Sequence, residues 1–186
     1  MRTLYKVQIL TLICLVIFSI YTINVKSDPK KSVAYTSLSK STQKEMICLA
    51  DNIYFEARNE PTEGMYGVAF VTMNRVRDGN YPDTICDVVK QKINQVCQFS
   101  WWCETIPKYT SQAGLLTKTN NEKYNEILRL SIHFYANYEH LNDPTKGALF
   151  YHADYVNPGW KNVKRTVKIG RHIFYQDKGK RNEYTS

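Results

Sequence analysis

The 186-residue sequence has no H-E-x-x-H pair, no G-x-S-x-G elbow and no glycine-rich phosphate loop. Those absences remove the commonest zinc-peptidase, serine-hydrolase and nucleotide-binding chemistries. The five cysteines include no C-x-x-C pair and no histidine stands at ligand spacing from them, so no metal and no cofactor is expected. Nucleic-acid motifs are missing too. The formal charge is +8, but the basic residues are scattered, with only small clusters at 161–168 and 178–181. Such a surface favours an anionic partner, and the lack of a motif argues against nucleic acid.

Charge is also absent from residues 7–25, a run of 19 between Lys6 and Lys26. That run is long enough to cross a bilayer as a helix. Nothing like an Ala-x-Ala cleavage site follows it, which favours an uncleaved anchor over a signal peptide. Arg2 and Lys6 precede the run and would stay in the cytoplasm, so the rest of the chain is expected to be translocated. The organisation expected is an anchor or signal peptide over 1–26, a Ser- and Lys-rich tether over 27–41, one domain over 42–177 and a polar tail over 178–186. With Cys14 in the leader, Cys48, Cys86, Cys97 and Cys103 remain, an even number that suits two disulfides in an exported domain. Three pairings are open; the preferred one joins Cys97 to Cys103, closing a short aromatic loop, and Cys48 to Cys86.

What is abundant is aromatic: 14 Tyr, 7 Phe and 3 Trp, a composition that suits contact with sugars, peptides or bases. Thr42-Gln-Lys-Glu45 has the form of a capping box, and Met46, Ala50, Ile53 and Ala57 recur at helical spacing behind it. Asn59 and Pro61 stop that helix near Arg58. A second helix is expected over 62–76 with Gly79 as its stop, and Gly64 and Gly67 would let another backbone approach. Thr84 caps a short third helix to about Gln91. A longer one over 121–140 carries Tyr124, Ile127, Leu128, Ser131, Ile132, Tyr135 and Tyr138, with His133 and His140 on its surface. The segments ALFYHADYVNPGW and TVKIGRHIFYQD read as short strands around turns at Pro158 and Gly170. The class is α+β, mainly helical.

The candidate for chemistry is Glu56. It lies at the border of the first helix's apolar stripe, in its last turn and beside Tyr54 and Phe55. The negative end of the helix dipole and burial against aromatic rings both raise a carboxylate's pKa, as a general acid requires. The competing reading is a surface pair with Arg58 or Arg75. Asn74 and Arg75 are polar residues of the second helix that can reach towards Glu56, or serve as ordinary capping and salt-bridging groups. Phe99, Trp101 and Trp102 either plug the core or form a platform on which sugars stack, with Trp102 the more exposed.

In order, the segments NIYFEARNEP, EGMYGVAFVTMNRVRDGNYPDTICDVV, CQFSWWC, FYHADYVNPGW and IGRHIFY resemble the SleB/CwlJ-type cell wall hydrolases, over about residues 45–175. The resemblance implies a lysozyme-like mixed fold that cleaves peptidoglycan between N-acetylmuramic acid and N-acetylglucosamine by lytic transglycosylation, with Glu56 as the acid and no metal. Glu60 and Glu63 match acidic positions of the family pattern. They are expected to hold water, substrate or Arg75, with Glu60 the stronger as a second catalytic carboxylate. Tyr151, His152, Tyr155 and Trp160 are the implied cleft lining. The sequence departs from the pattern at Asn59, where the family usually has Gly. The cysteine set and the FYHADYVNPGW segment point to Gram-negative bacteria and their phages, so a spore-cortex role is not carried over. The expectation is a monomer in the cell envelope, anchored in the inner membrane and facing the periplasm, or in the host's envelope if viral. Two other readings stay open: a wall-binding or scaffolding protein without turnover, and an amidase acting on the peptide stem.

Overall fold

The computed structural model describes residues 35–109 and 121–179, the side chains of residue 36 and residues 105–109 excepted. The expected anchor, most of the expected tether and the end of the tail lie outside the described residues. Among those described, no helix is long and apolar enough to cross a membrane.

The first helix begins earlier than its capping pattern suggests. Residues Tyr35–Ser37 form a 3-10 turn, and helix α1 runs Lys40–Ala57. Its N-cap is Ser39, whose hydroxyl accepts from the Thr42 amide at 3.1 Å. The expected Thr42–Glu45 capping box is therefore not used. Glu45 instead accepts from the Cys86 amide at 2.9 Å, a tertiary contact across 41 positions of chain. Met46, Ala50, Ile53 and Ala57 are all buried, with Leu49 and Asn52 added to the same face.

Helix α2 (Thr62–Arg77) packs along α1. It ends at Asp78, which turns to extended backbone and accepts from the Asn80 amide at 3.0 Å; Gly79 has no positive φ, so the stop is an Asx turn and not a glycine cap. At Gly67 the close neighbour is a side chain: an added Cβ would stand 2.6 Å from Phe174 Cζ. Helix α3 (Ile85–Lys90) is capped by Thr84, which accepts from the Asp87 amide at 3.1 Å.

A small hairpin, β1 (Lys92–Ile93) and β2 (Val96–Cys97), turns through Asn94 and Gln95, both at positive φ. Helix α4 (Ser100–Tyr109) follows at once, so the stretch expected to be an aromatic loop is a strand end joined to a helix start. The disulfides are Cys48–Cys86, tying α1 to α3, and Cys97–Cys103, tying β2 to α4. Helix α5 (Glu122–Asn137) packs on α1 and passes into a 3-10 turn at Tyr138–His140. Its most buried aromatic is Phe134, absent from the expected stripe, which meets Phe70 edge-on at 4.9 Å.

The second layer is an antiparallel sheet in the order β3 (Phe150–Ala153), β5 (His172–Asp177), β4 (Val163–Ile169). One face carries Ile169 and Phe174, which pack with Val71 of α2 and Ala148. The expected class, α+β and mainly helical, is the observed one.

Candidate active site

The helix and sheet layers meet at Glu56. It occupies the last turn of α1 and is half-buried. Tyr151, in the middle of β3, donates its hydroxyl to Glu56 Oε2 at 3.1 Å. Burial raises the Glu56 pKa; the Tyr151 hydrogen bond and the Arg75 charge oppose that, and the Glu104 charge adds to it. Arg58 does not pair with Glu56: its guanidinium lies over the Tyr54 ring and donates to the Tyr54 carbonyl.

Behind the acid, the packing is specific. Trp101 stacks on Phe55 with centroids 4.6 Å apart and donates from Nε1 to Asn52 Oδ1 at 3.0 Å. Asn52 in turn donates to Thr72 Oγ1 at 3.1 Å, so one buried polar chain joins α4, α1 and α2. Arg75 is also buried. Its Nε donates to the Leu149 carbonyl at 2.8 Å, and its guanidinium lies over the rings of Tyr81 and Phe99. Its Nη1 has no hydrogen-bond partner among the described residues. Held this way, Arg75 is a fixed positive charge beside Glu56 and Tyr151.

The other expected site residues separate. Glu60 Oε2 accepts from the Arg171 amide at 2.8 Å, and its side chain fills the space where a Gly170 side chain would be, 2.0 Å from an added Cβ. Glu60 thus holds the β4–β5 turn, at Gly170 with φ +56, to the end of α1. Glu63 is exposed and lines a groove of about 500 Å³ with Tyr66, Phe70 and Leu141. Asn74 donates to Asp143 Oδ2 at 3.0 Å and to the Ala148 carbonyl at 3.1 Å, which places it under the loop leading to β3 and not at Glu56. Phe99 and Trp101 plug the core. Trp102 is half-buried, with Lys90 over its ring, in a groove of about 400 Å³ along Lys40, Lys44 and Ile47 of α1. Ile47 and Glu56 are two and a half helical turns apart, so this groove lies on the opposite side of α1 from the acid.

Strand parity divides the remaining set. Tyr151 pairs with Phe174 and shares their face with His172, whereas His152, Phe150 and Tyr175 point the other way. Trp160 joins that second face, with centroids 5.6 Å from His152 and 5.7 Å from Phe150. Tyr155 is 74% exposed, with the Arg171 guanidinium over its ring. Of the four expected cleft residues, only Tyr151 is hydrogen-bonded to Glu56 among the described residues. His172 was not among the expected site residues. It is buried, 5.0 Å from the Tyr151 ring, and burial lowers its pKa, which favours a neutral imidazole. The signal for it is parity, two residues before Phe174 and across from Ala153.

Asn59 does not adopt positive φ, so glycine's freedom is not needed there and the departure leaves the turn intact.

These features define a class: a mainly helical α+β domain that holds one half-buried glutamate against a small antiparallel sheet. Among solved structures, the catalytic domain of the germination-specific lytic transglycosylase SleB from Bacillus anthracis matches with a TM-score of 0.53 at 25% identity, covering 75% of this chain and 98% of that one. The catalytic domain of the Bacillus cereus SleB protein gives 0.51 at 25% identity, covering 81% and 100%. Spore cortex-lytic enzymes from Oceanobacillus iheyensis and Halalkalibacterium halodurans are 29% and 27% identical over 137 and 128 residues, 72% and 68% of this chain. The match spans only 42% and 33% of those two relatives. The family model for cell wall hydrolases matches residues 59–175. The chain belongs to the cell wall hydrolase family, of the SleB/CwlJ type.

Proposed function

We propose that this protein cleaves the glycan strand of peptidoglycan between N-acetylmuramic acid and N-acetylglucosamine as a lytic transglycosylase, with Glu56 as general acid and then general base. The observation that carries the reading is the pair of opposed influences on Glu56. Burial favours the protonated acid, and the Tyr151 hydroxyl and Arg75 charge favour the carboxylate left once the proton is given up. In the first half-reaction the Glu56 proton passes to the glycosidic oxygen as its bond to the muramyl anomeric carbon breaks. In the second, the muramyl 6-hydroxyl bonds to that carbon and returns its proton to Glu56. The product is a 1,6-anhydro end, and no second carboxylate is consumed. Glu60, engaged with the Arg171 amide, serves as a positioning residue in this scheme.

The uncharged run over residues 7–25 supports an exported domain tethered at the membrane, where the basic surface meets an anionic wall, in wall remodelling or phage lysis. Digestion of purified peptidoglycan tests the reading. Soluble muropeptides with anhydro ends are the expected outcome. Co-sedimentation without any soluble product overturns it in favour of a scaffold, and release of stem peptides alone overturns it in favour of an amidase.

A further inference from the structure

The sheet face turned away from Glu56 is unusually aromatic for a surface. Phe150 and His152 of β3 and Tyr175 of β5 lie on it, and Trp160, 42% exposed, packs across all three with centroids within 5.6–5.8 Å. The cluster is braced internally: His152 stacks on Tyr175 at 5.2 Å, its Nε2 is 2.9 Å from the Tyr175 hydroxyl and its Nδ1 is 2.8 Å from the Ala153 carbonyl. A buried plug would not leave Trp160 open, and the adjoining loop shows the same bias. Tyr155, Val156 and Trp160 are half of the large apolar side chains exposed among the described residues, and all fall within six positions.

Charge on this face is set by a β-bulge. Arg165 pairs with Tyr175 but Val167 pairs with Phe174, so Thr166 is the extra residue and the parity of β4 reverses across it. Strict alternation would put Arg165 on the same face as Val167 and Ile169, which pack inward. The bulge sends Arg165 outward beside Tyr175. There it is exposed and forms no ion pair among the described residues, whereas Lys168 on the same face is neutralised by Asp154 at 2.9 Å.

We infer that this outer face is a second, non-catalytic docking surface for the peptidoglycan glycan strand. The apolar C–H face of a sugar ring lies on Trp160, and a lactyl or stem carboxylate is drawn to Arg165. The inference rests on peptidoglycan as the substrate. The surface is complementary to such a strand: aromatic rings present negative π faces to polarised C–H groups, and a guanidinium beside them with no ion pair among the described residues selects an anionic sugar polymer over a neutral one. Holding the strand on the far side of the sheet would keep the domain on insoluble wall between cuts.

The test uses the full-length chain carrying Glu56→Gln, so that the wall stays intact, and measures co-sedimentation with purified sacculi and with chitin, a neutral sugar polymer. Trp160→Ala is expected to weaken sacculus binding about tenfold, as truncation of an anchoring aromatic does. Trp160→Phe should restore most of it. Arg165→Glu, at an exposed position that the fold does not depend on, should weaken sacculus binding roughly threefold with an effect that fades at high salt, and should leave chitin binding unchanged. Trp160→Ala and Arg165→Glu both binding as the parent does, or Trp160→Phe failing to restore binding, overturns the inference. Failure of the catalytic reading appears elsewhere, as product release that persists in Glu56→Gln.

Discussion

The Tyr151 hydroxyl donates to Glu56 Oε2 at 3.1 Å across 95 positions of chain, and this contact joins the helical layer to the sheet at the proposed acid. Tyr151 stabilises the carboxylate against the neutral acid. Tyr151→Phe should therefore raise the Glu56 pKa further. An acid catalyst loses activity as pH rises through its pKa, so the alkaline limb of the pH–rate profile should move to higher pH in the variant. The maximal rate should fall about tenfold, a loss of about 1.4 kcal/mol of transition-state stabilisation.

Glu56→Gln should change stability as well as activity. The folded-state pKa of Glu56 is raised by burial, so its contribution to stability is fully present below the unfolded pKa and is lost as pH rises through the folded value. Removing the ionisable group removes that loss. Thermal unfolding across pH should show Glu56→Gln melting above the parent at alkaline pH, with the gap closing on acidification.

Glu60 distinguishes positioning from catalysis. Glutamine keeps an oxygen that can accept from the Arg171 amide, so Glu60→Gln should retain most of the parent's activity on peptidoglycan. Glu60→Ala gives up that bond at an exposed amide, which water can then solvate, and should cost about 1 kcal/mol in denaturant unfolding. Equal and complete loss of activity in both variants would assign Glu60 a chemical role.

Gly67→Ala tests the contact between the layers. Its Cβ would meet Phe174 Cζ at 2.6 Å, between two buried residues. Overpacking of this kind costs about 1–3 kcal/mol, and the melting temperature should fall accordingly.

How much of this was legible in the sequence depends on whether a residue's partners are local. The buried stripe of α1, the Thr84 cap and the α+β class follow from spacing and turn chemistry. The start of α1 differs from its capping pattern because several hydroxyl residues precede it, and the capping-box glutamate, Glu45, is taken by Cys86 of α3. Asn74 looked like a site residue, yet its partners Asp143 and Ala148 are about 70 positions away and no local pattern announces them. Tyr151 and His152 are adjacent in sequence and were grouped together. Alternation separates them, but only the burial of Phe174 against α2 decides which faces the acid. The Thr166 bulge is invisible to periodicity, since it reverses the pattern that periodicity reads.

The most direct test of the central assignment is digestion of purified peptidoglycan by the parent and by Glu56→Gln, with products weighed by mass spectrometry. The parent should release muropeptides one water lighter than hydrolytic products, and Glu56→Gln, folded as shown by circular dichroism, should release none above background. Release by Glu56→Gln at the parent's rate would contradict the account.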